Sequence, residues 1–129
     1  MVLDSSALIA ILMNEPERRT FVTVIEAAAP CVMSVANFLE TAIVIEARFG
    51  MEGARDLDLF LSKAHIELIP VDVDQGNLAR RAYREFGKGR HPAGLNYGDC
   101  FAYALAKVEG APLLYKGQDF IHTDLATPP

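Results

Sequence analysis

Short apolar runs alternate with longer segments in which apolar residues recur at helical spacing, and the alternation persists along the whole chain. Val2-Leu3 is an apolar start closed by Asp4. Ser5 and Ser6 lead into Ala7-Leu8-Ile9-Ala10-Ile11-Leu12, which together read as a buried strand running into a helix from Ser5 to Met13. Glu15-Pro16-Glu17 interrupts the helical pattern, and Arg18 to Ala28 resumes it before Pro30. Cys31-Val32-Met33 predicts a second strand. Ser34 is then a good N-cap for a helix from Val35 to Phe49, with Gly50 at the C-terminal cap position. A further helix is predicted from about Glu52 to Ala64, a third strand from Ile66 to Val71, and a helix opened by Asp74 or a neighbour and closed near Gly87. The glycines and proline of residues 87–94 predict a flexible loop. Asn96 caps a helix that runs to Glu109 and stops at Gly110, and Pro112 to Tyr115 forms a fourth strand. Lys116-Gly117-Gln118 turns into Asp119-Phe120, and the tail ends in Pro128-Pro129.

Short, aliphatic strands separated by helices predict an α/β fold, a short parallel sheet flanked by helices on both faces. The 129 residues suit a single domain spanning 1–129 and leave no room for two. Sites in such sheets form at the carboxyl ends of the strands. Asp4 and the turn before Asp119 both follow strands, which places two acids on one edge of the fold.

The apolar fraction of 51 % is enough for a filled core, and a charged fraction of 22 % is that of an ordinary folded protein rather than a disordered one. The net charge of -5, taken alone, argues against a nucleic-acid partner. Acids clustered to hold metal ions, however, make a chain acidic without making its rim acidic. Cys31 and Cys100 have no metal or redox spacing and read as reduced, buried thiols. The longest early apolar run, Ala7 to Met13, falls far short of the roughly 20 residues of a membrane span. It also lacks the basic flank of a signal peptide, so a cytoplasmic location is expected.

Four carboxylates stand out. Asp4 would serve as an N-cap for the first helix, and the hydroxyl of Ser6 is placed to support it. Glu40 sits mid-helix with Ala36, Ile43 and Val44 as its i−4, i+3 and i+4 neighbours. That arrangement puts an acid on the stripe expected to face the core, where it needs a buried ion pair or a bound cation. Asp99 follows Asn96 by three residues and would complete a capping box while favouring the helix dipole. Asp119 follows a strand and turn. Each has a plain structural role, but four acids at element ends and on an apolar face, all compatible with one sheet edge, point to a shared site. Hard oxygen donors of this kind suit Mg²⁺ or Mn²⁺ rather than zinc, and His65, His91 and His122 show no metal spacing.

With these residues in view, the chain resembles the PIN-domain ribonucleases, in particular the VapC toxins of bacterial type II toxin–antitoxin pairs. The resemblance covers essentially the whole chain. It is carried by residues 2–8, by Leu39-Glu40 with Ile45-Glu46-Ala47-Arg48-Phe49-Gly50, and by Gly87-Lys88-Gly89-Arg90-His91-Pro92. It continues in Leu95-Asn96-Tyr97-Gly98-Asp99-Cys100 and in residues 113–120. It implies a three-layer α/β/α PIN-like fold with Asp4, Glu40 and Asp99 as the family's shared acids. Where similar sequences commonly carry Asp or Asn before the Asp-Phe pair, this chain has Gln118, which leaves Asp119 as fourth acid and Asp124 as a weaker candidate. The implied activity is metal-dependent endoribonuclease, with Mg²⁺ or Mn²⁺ activating a water for in-line attack on a phosphodiester, giving 5′-phosphate and 3′-hydroxyl ends. The implied substrate is a tRNA or another structured RNA, and the implied effect is arrested translation and growth. The implied partners are a small VapB-like antitoxin and a second copy in a homodimer. Arg80, Arg81, Arg84, Lys88 and Arg90 form a basic stripe against the single acid Glu85, suited to RNA phosphates. Tyr97 is placed to stack on a base. Phe21, Val22 and Ile25 of the second helix are a candidate antitoxin-docking face or, equally, core.

Competing readings are a non-catalytic PIN-like RNA- or protein-binding module, which the full acid set disfavours, and phosphotransfer on an acidic α/β site. A haloacid-dehalogenase type needs a second Asp two residues after the first, where this chain has Ser6. A receiver-type phosphoacceptor matches Lys116 loosely but lacks its early acid pair.

Overall fold

The structure, a computed structural model, describes residues 1–125; the predicted Pro128-Pro129 tail lies outside them. The elements run β1 (Val2–Leu3), α1 (Ser5–Leu12), α2 (Arg18–Ala28), β2 (Cys31–Ser34), α3 (Val35–Lys63), β3 (Ile66–Ile69), α4 (Val73–Phe86), α5 (Tyr97–Glu109) and β4 (Leu113–Leu114), then a 3₁₀ turn at Asp119–His122. The four strands pair in parallel in the order β3-β2-β1-β4.

Alternation along the strands sends side chains to two cores, one on each sheet face. Leu3, Cys31, Met33, Ile66 and Leu114 pack with α1, α2 and the inner positions of α3. Val2 and Leu113 pack with α4 and α5, where Leu95, Ala102, Ala104 and Leu105 are fully buried. The result is the expected three-layer α/β/α arrangement. Because β2 and β4 flank β1 on opposite sides, the chain reverses its winding there. The carboxyl ends of β1 and β4 therefore border the crevice in which α/β sheets build sites.

The helix starts follow local chemistry. Asp4, Ser34, Asp72 and Asn96 each accept a backbone N–H of the helix they open. Asp72 rather than Asp74 caps α4, accepting from Gln75 N at 2.9 Å, and β3 stops at Ile69 because Pro70 has no N–H for the ladder. The two helices predicted for residues 35–49 and 52–64 run on as one element broken at Gly50, whose φ of 65° and ψ of -148° leave the helical region. Glycine adopts that backbone without strain. Beyond the break, the backbone folds so tightly on itself that a Cβ at Gly53 would stand 2.8 Å from Ile45 Cγ2.

Residues 87–94 form the loop their composition predicts, a run of turns tied down by backbone hydrogen bonds. Lys88 N donates to Leu95 O and Leu95 N to Phe86 O, both at 2.9 Å, and Gly94 N donates to His91 O at 3.0 Å. His91 also stacks edge-on against Phe86 with ring centroids 5.1 Å apart. Phe21 and Ile25 lie in the core, which removes them as a docking face, while Val22 is half-buried beside them.

The kink yields a direct test. Gly50→Ala imposes a strained backbone far from the sheet edge and is expected to cost about 1–3 kcal/mol. Equilibrium urea unfolding reads that loss, and an unchanged midpoint would show that the break at Gly50 is not required.

Candidate active site

Asp4 leaves β1 in extended conformation and is only 4 % exposed. Its Oδ2 accepts from the N–H of Ser6 at 3.0 Å and from the Ser6 hydroxyl at 2.6 Å. Ser6 Oγ in turn accepts from the Lys116 N–H at 2.9 Å, just beyond β4. Ser6 thus ties the ends of two strands together through the acid, the supporting role expected of it. Capping occupies one oxygen only: Oδ1 is buried without a hydrogen-bond partner. Burial pushes the Asp4 carboxyl up to about 6, and the charge of Glu40 adds to that against the Ser6 hydrogen bonds.

Glu40 lies elsewhere than its neighbours in sequence predict. It is half-buried, and the stripe around it does not face the core: Ile43 is 61 % and Leu39 58 % exposed. The inward positions of this helix are Asn37, Thr41, Ala42 and Ile45. Helical spacing shows which residues share a face but not which face turns inward. Glu40 instead turns toward the start of α5. Its Oε1 accepts from the Ser5 hydroxyl and, at 3.4 Å, from Asn37 Nδ2. Asn37 Nδ2 also donates to Gly98 O at 2.9 Å. A Cβ on Gly98 would stand 2.3 Å from Glu40 Oε2, so a side chain there would displace the carboxylate from this position.

Asp99 opens α5 as predicted. Asn96 N donates to its Oδ2 at 3.0 Å while Asp99 N donates to Asn96 Oδ1 at 2.9 Å, a complete capping box. Burial raises the Asp99 carboxyl to about 7 against the Asn96 hydrogen bond, with the nearby acids Asp4 and Asp119 adding to the rise. Asp119, exposed at the head of the 3₁₀ turn, therefore shares the edge with Asp99. Asp124 does not. Its carboxylate accepts from Tyr103 OH at 2.6 Å and pairs with Lys107 Nζ at 2.8 Å. Burial pulls its pKa up, but those two partners outweigh it and hold the group below the usual range.

Lys116, the residue a receiver-type site would use, pairs its ammonium with Glu15 at 3.2 Å and Glu17 at 3.1 Å. No ion pair reaches Asp4, Glu40, Asp99 or Asp119 among the described residues. Nor do three or more His, Cys, Asp or Glu side chains converge there closely enough to enclose an ion. The four acids act on one another pairwise, Asp4 with Glu40, Asp4 with Asp99, and Asp99 with Asp119. Their donor chemistry and the bare Asp4 Oδ1 suit a hard divalent cation.

The basic stripe divides. Arg80 of α4 and Lys88, just past the end of that helix, border a cleft between α4 and α5 beside Asn96, while Arg84 is exposed on α4 one turn after Arg80 and outside the cleft lining. Arg81 lies on the other side of α4, with Tyr103 and Asp124. The Arg90 guanidinium stands 5.9 Å from the centre of the Tyr83 ring. Sequence reasoning missed Ser5, Asn37 and Gly98, the frame that holds Glu40. The available signal was a polar Asn37 three residues before Glu40 and a glycine beside Asp99.

The PIN domain family matches residues 1–125. The chain belongs to that family. It is 58 % identical over 127 residues to VapC ribonuclease Mb0640 of Mycobacterium bovis and, equally, to Ribonuclease VapC30 of Mycobacterium tuberculosis; each match covers 98 % of this chain and 97 % of the relative. It is 57 % identical to Ribonuclease VapC of Mycolicibacterium smegmatis over 98 % of both chains. The fold is that of the sarcin-ricin-loop-cleaving toxin VapC20 of Mycobacterium tuberculosis, with a TM-score of 0.78 at 16 % identity over 99 % of this chain and 98 % of that one. A toxin–antitoxin complex from Klebsiella pneumoniae shares it with a TM-score of 0.73 at 19 % identity, over 99 % and 97 % of the two chains.

Because the folded-state pKa values of Asp4 and Asp99 lie above the ordinary carboxylate value, folding favours their neutral forms. Without divalent cations, their contribution to stability is therefore full below about pH 4, declines as pH rises towards 7, and levels off above that. Asp99→Asn is expected to unfold at higher denaturant than the parent at pH 8, by about 1 kcal/mol or more, and to lose that advantage at pH 4. Denaturation midpoints at the two pH values check this, and equal midpoints at pH 8 would contradict the electrostatic assignment.

Proposed function

We propose that this chain is an endoribonuclease of the VapC kind, a single PIN-like nuclease domain that uses Mg²⁺ or Mn²⁺ to hydrolyse RNA phosphodiester bonds. The observation that carries the reading is the Asp4 carboxylate, desolvated at the carboxyl end of β1 with one oxygen unpartnered and with Glu40 and Asp99 as its charged neighbours. Identity to VapC ribonucleases over nearly the whole chain supports the reaction class.

Asp4, Asp99 and Asp119 would hold the cation, with Glu40 as a further ligand or as the group that orients the attacking water. When bound, the ion supplies Lewis-acid activation of water and neutralises charge that builds on the phosphodiester. Ser6 fixes the orientation of Asp4 by donating to Oδ2, which leaves Oδ1 free for the ion. Ser5 and Asn37 hold Glu40 against the first turn of α5. The positive end of α5 then favours negative charge at this edge. Arg80, Arg84, Lys88 and Arg90 supply phosphate contacts away from the acids, and the substrate is a tRNA or another structured RNA.

A small VapB-like antitoxin and a second copy of the chain are the proposed protein partners, and the proposed setting is the cytoplasm, where cleavage would arrest translation. The apolar row Val35, Leu39 and Ile43 along α3, left exposed by the fold, offers a docking surface of the kind such partners use. No helix of the described residues is long and apolar enough to cross a membrane.

Purified protein free of antitoxin is expected to cut a broad RNA pool with Mn²⁺ and to stop in EDTA. Removing a residue that orients a metal ligand typically costs about 10–100-fold, so Ser6→Ala is expected in that range and Asp99→Asn beyond it. Asp119→Asn is expected to slow cleavage and Asp124→Asn to leave it near the parent rate. The reverse order would move the fourth ligand to Asp124, and EDTA-resistant cleavage would overturn the metal assignment.

A further inference from the structure

The cleft between α4 and α5 lies outside the carboxylate cluster but shares an element with it. Its cavity of about 600 Å³ is bordered by Gly76, Arg80, Tyr83, Lys88, Tyr97 and Phe101, with Asn96 at the end nearest Asp99. Tyr97 is 80 % exposed. Its only ring partner among the described residues is Phe101, edge-on with centroids 4.8 Å apart, which leaves ring faces open. The lining contains two cations and no acid. It therefore combines flat aromatic surface with positive charge, on the same helix start that carries the proposed catalytic carboxylate Asp99.

We propose that this cleft receives an unpaired nucleobase adjoining the scissile phosphate, stacked on Tyr97, with Arg80 and Lys88 on the flanking phosphates. The inference rests on the endoribonuclease reading and narrows its substrate to RNA that presents an extruded base at the cut, as in a loop or single strand. Every base has a stacking face, so aromatic platforms of this kind tolerate sequence while requiring single-strandedness. The two cations and the absence of acids suit flanking phosphates, and the largely apolar, aromatic remainder of the lining suits the face of a base. Asn96, whose Oδ1 is taken by the Asp99 N–H, is the polar group at the inner end.

The test uses the full chain carrying Asp99→Asn, so that probes survive, and two short RNA strands of equal length: oligoadenylate and a fully abasic strand with the same phosphates. Stacking of one base predicts about tenfold tighter binding of oligoadenylate. Tyr97→Ala is expected to erase the difference and Tyr97→Phe to keep it. Gly76→Phe fills the cleft from a position where a Cβ meets nothing within 4 Å, and once an unchanged unfolding midpoint shows that the variant folds, it too should erase the difference. Arg80→Ala should weaken both strands alike. The proposal is overturned if the parent does not distinguish the strands, if the difference survives Tyr97→Ala and Gly76→Phe, or if Tyr97→Ala weakens both strands equally. It is also overturned if Gly76→Phe turns a sedimenting dimer into a monomer, which would make the cleft the seat of a second copy. Cleavage of an RNA pool by the parent with Mn²⁺ reads the nuclease activity separately: cutting without a base-dependent difference sinks the cleft alone, and no cutting sinks the nuclease reading.

Discussion

A carboxylate removed from water without a counter-charge is among the most costly groups a fold can carry. At the carboxyl edge of this sheet two such groups, Asp4 and Asp99, sit within each other's field, with Glu40 and Asp119 beside them. The surroundings do not relieve the repulsion. Lys116 gives its backbone N–H to Ser6 but turns its ammonium to Glu15 and Glu17. Hydrogen bonds from Ser6, Ser5, Asn37 and Asn96 fix where the acids point without neutralising them. A fold that spends stability this way needs something positive at the edge, and a hard divalent cation is the partner that the oxygen donors suit.

The same constraint shapes the rest of the molecule. An acidic edge repels RNA, so phosphate contacts must come from elsewhere, and Arg80 of α4 with Lys88 just beyond that helix, both bordering the cleft against α5, are the cations proposed for them. The net charge of -5 and the ribonuclease reading are therefore compatible: much of the acidity is local and the cations have their own surface. Gly98 is where the two requirements meet. It lets Glu40 reach the first turn of α5, between the acid cluster and the aromatic cleft.

What the sequence made legible was local. Asp4, Ser34 and Asn96 announce helix starts because capping depends on a few neighbouring backbone groups, and alternation of aliphatic strands with helices gives the layered parallel sheet. What it hid depends on orientation. Glu40 has apolar neighbours on a face that turns out to be partly solvent-exposed, since α3 carries a second inward stripe through Thr41 and Ile45 that spacing alone does not rank. The run Arg80 to Arg90 reads as one stripe, yet Arg81 falls on the opposite side of α4. Asp119 and Asp124 are both acids past the fourth strand, and only the tertiary contacts of Asp124 with Tyr103 and Lys107 separate them. Residues 87–94 have loop composition but are held by hydrogen bonds around Leu95 that composition does not encode.

The central claim is that the repulsion between buried carboxylates is relieved by a divalent cation. Calorimetric titration of Mn²⁺ near pH 6.5, repeated in buffers of different ionisation enthalpy, tests it most directly. Asp4 and Asp99 are partly protonated there, so binding must expel protons and the apparent heat must change with the buffer. Asp4→Asn should abolish both the binding and the buffer dependence. Mn²⁺ binding that releases no protons, or that persists in Asp4→Asn, would contradict the account.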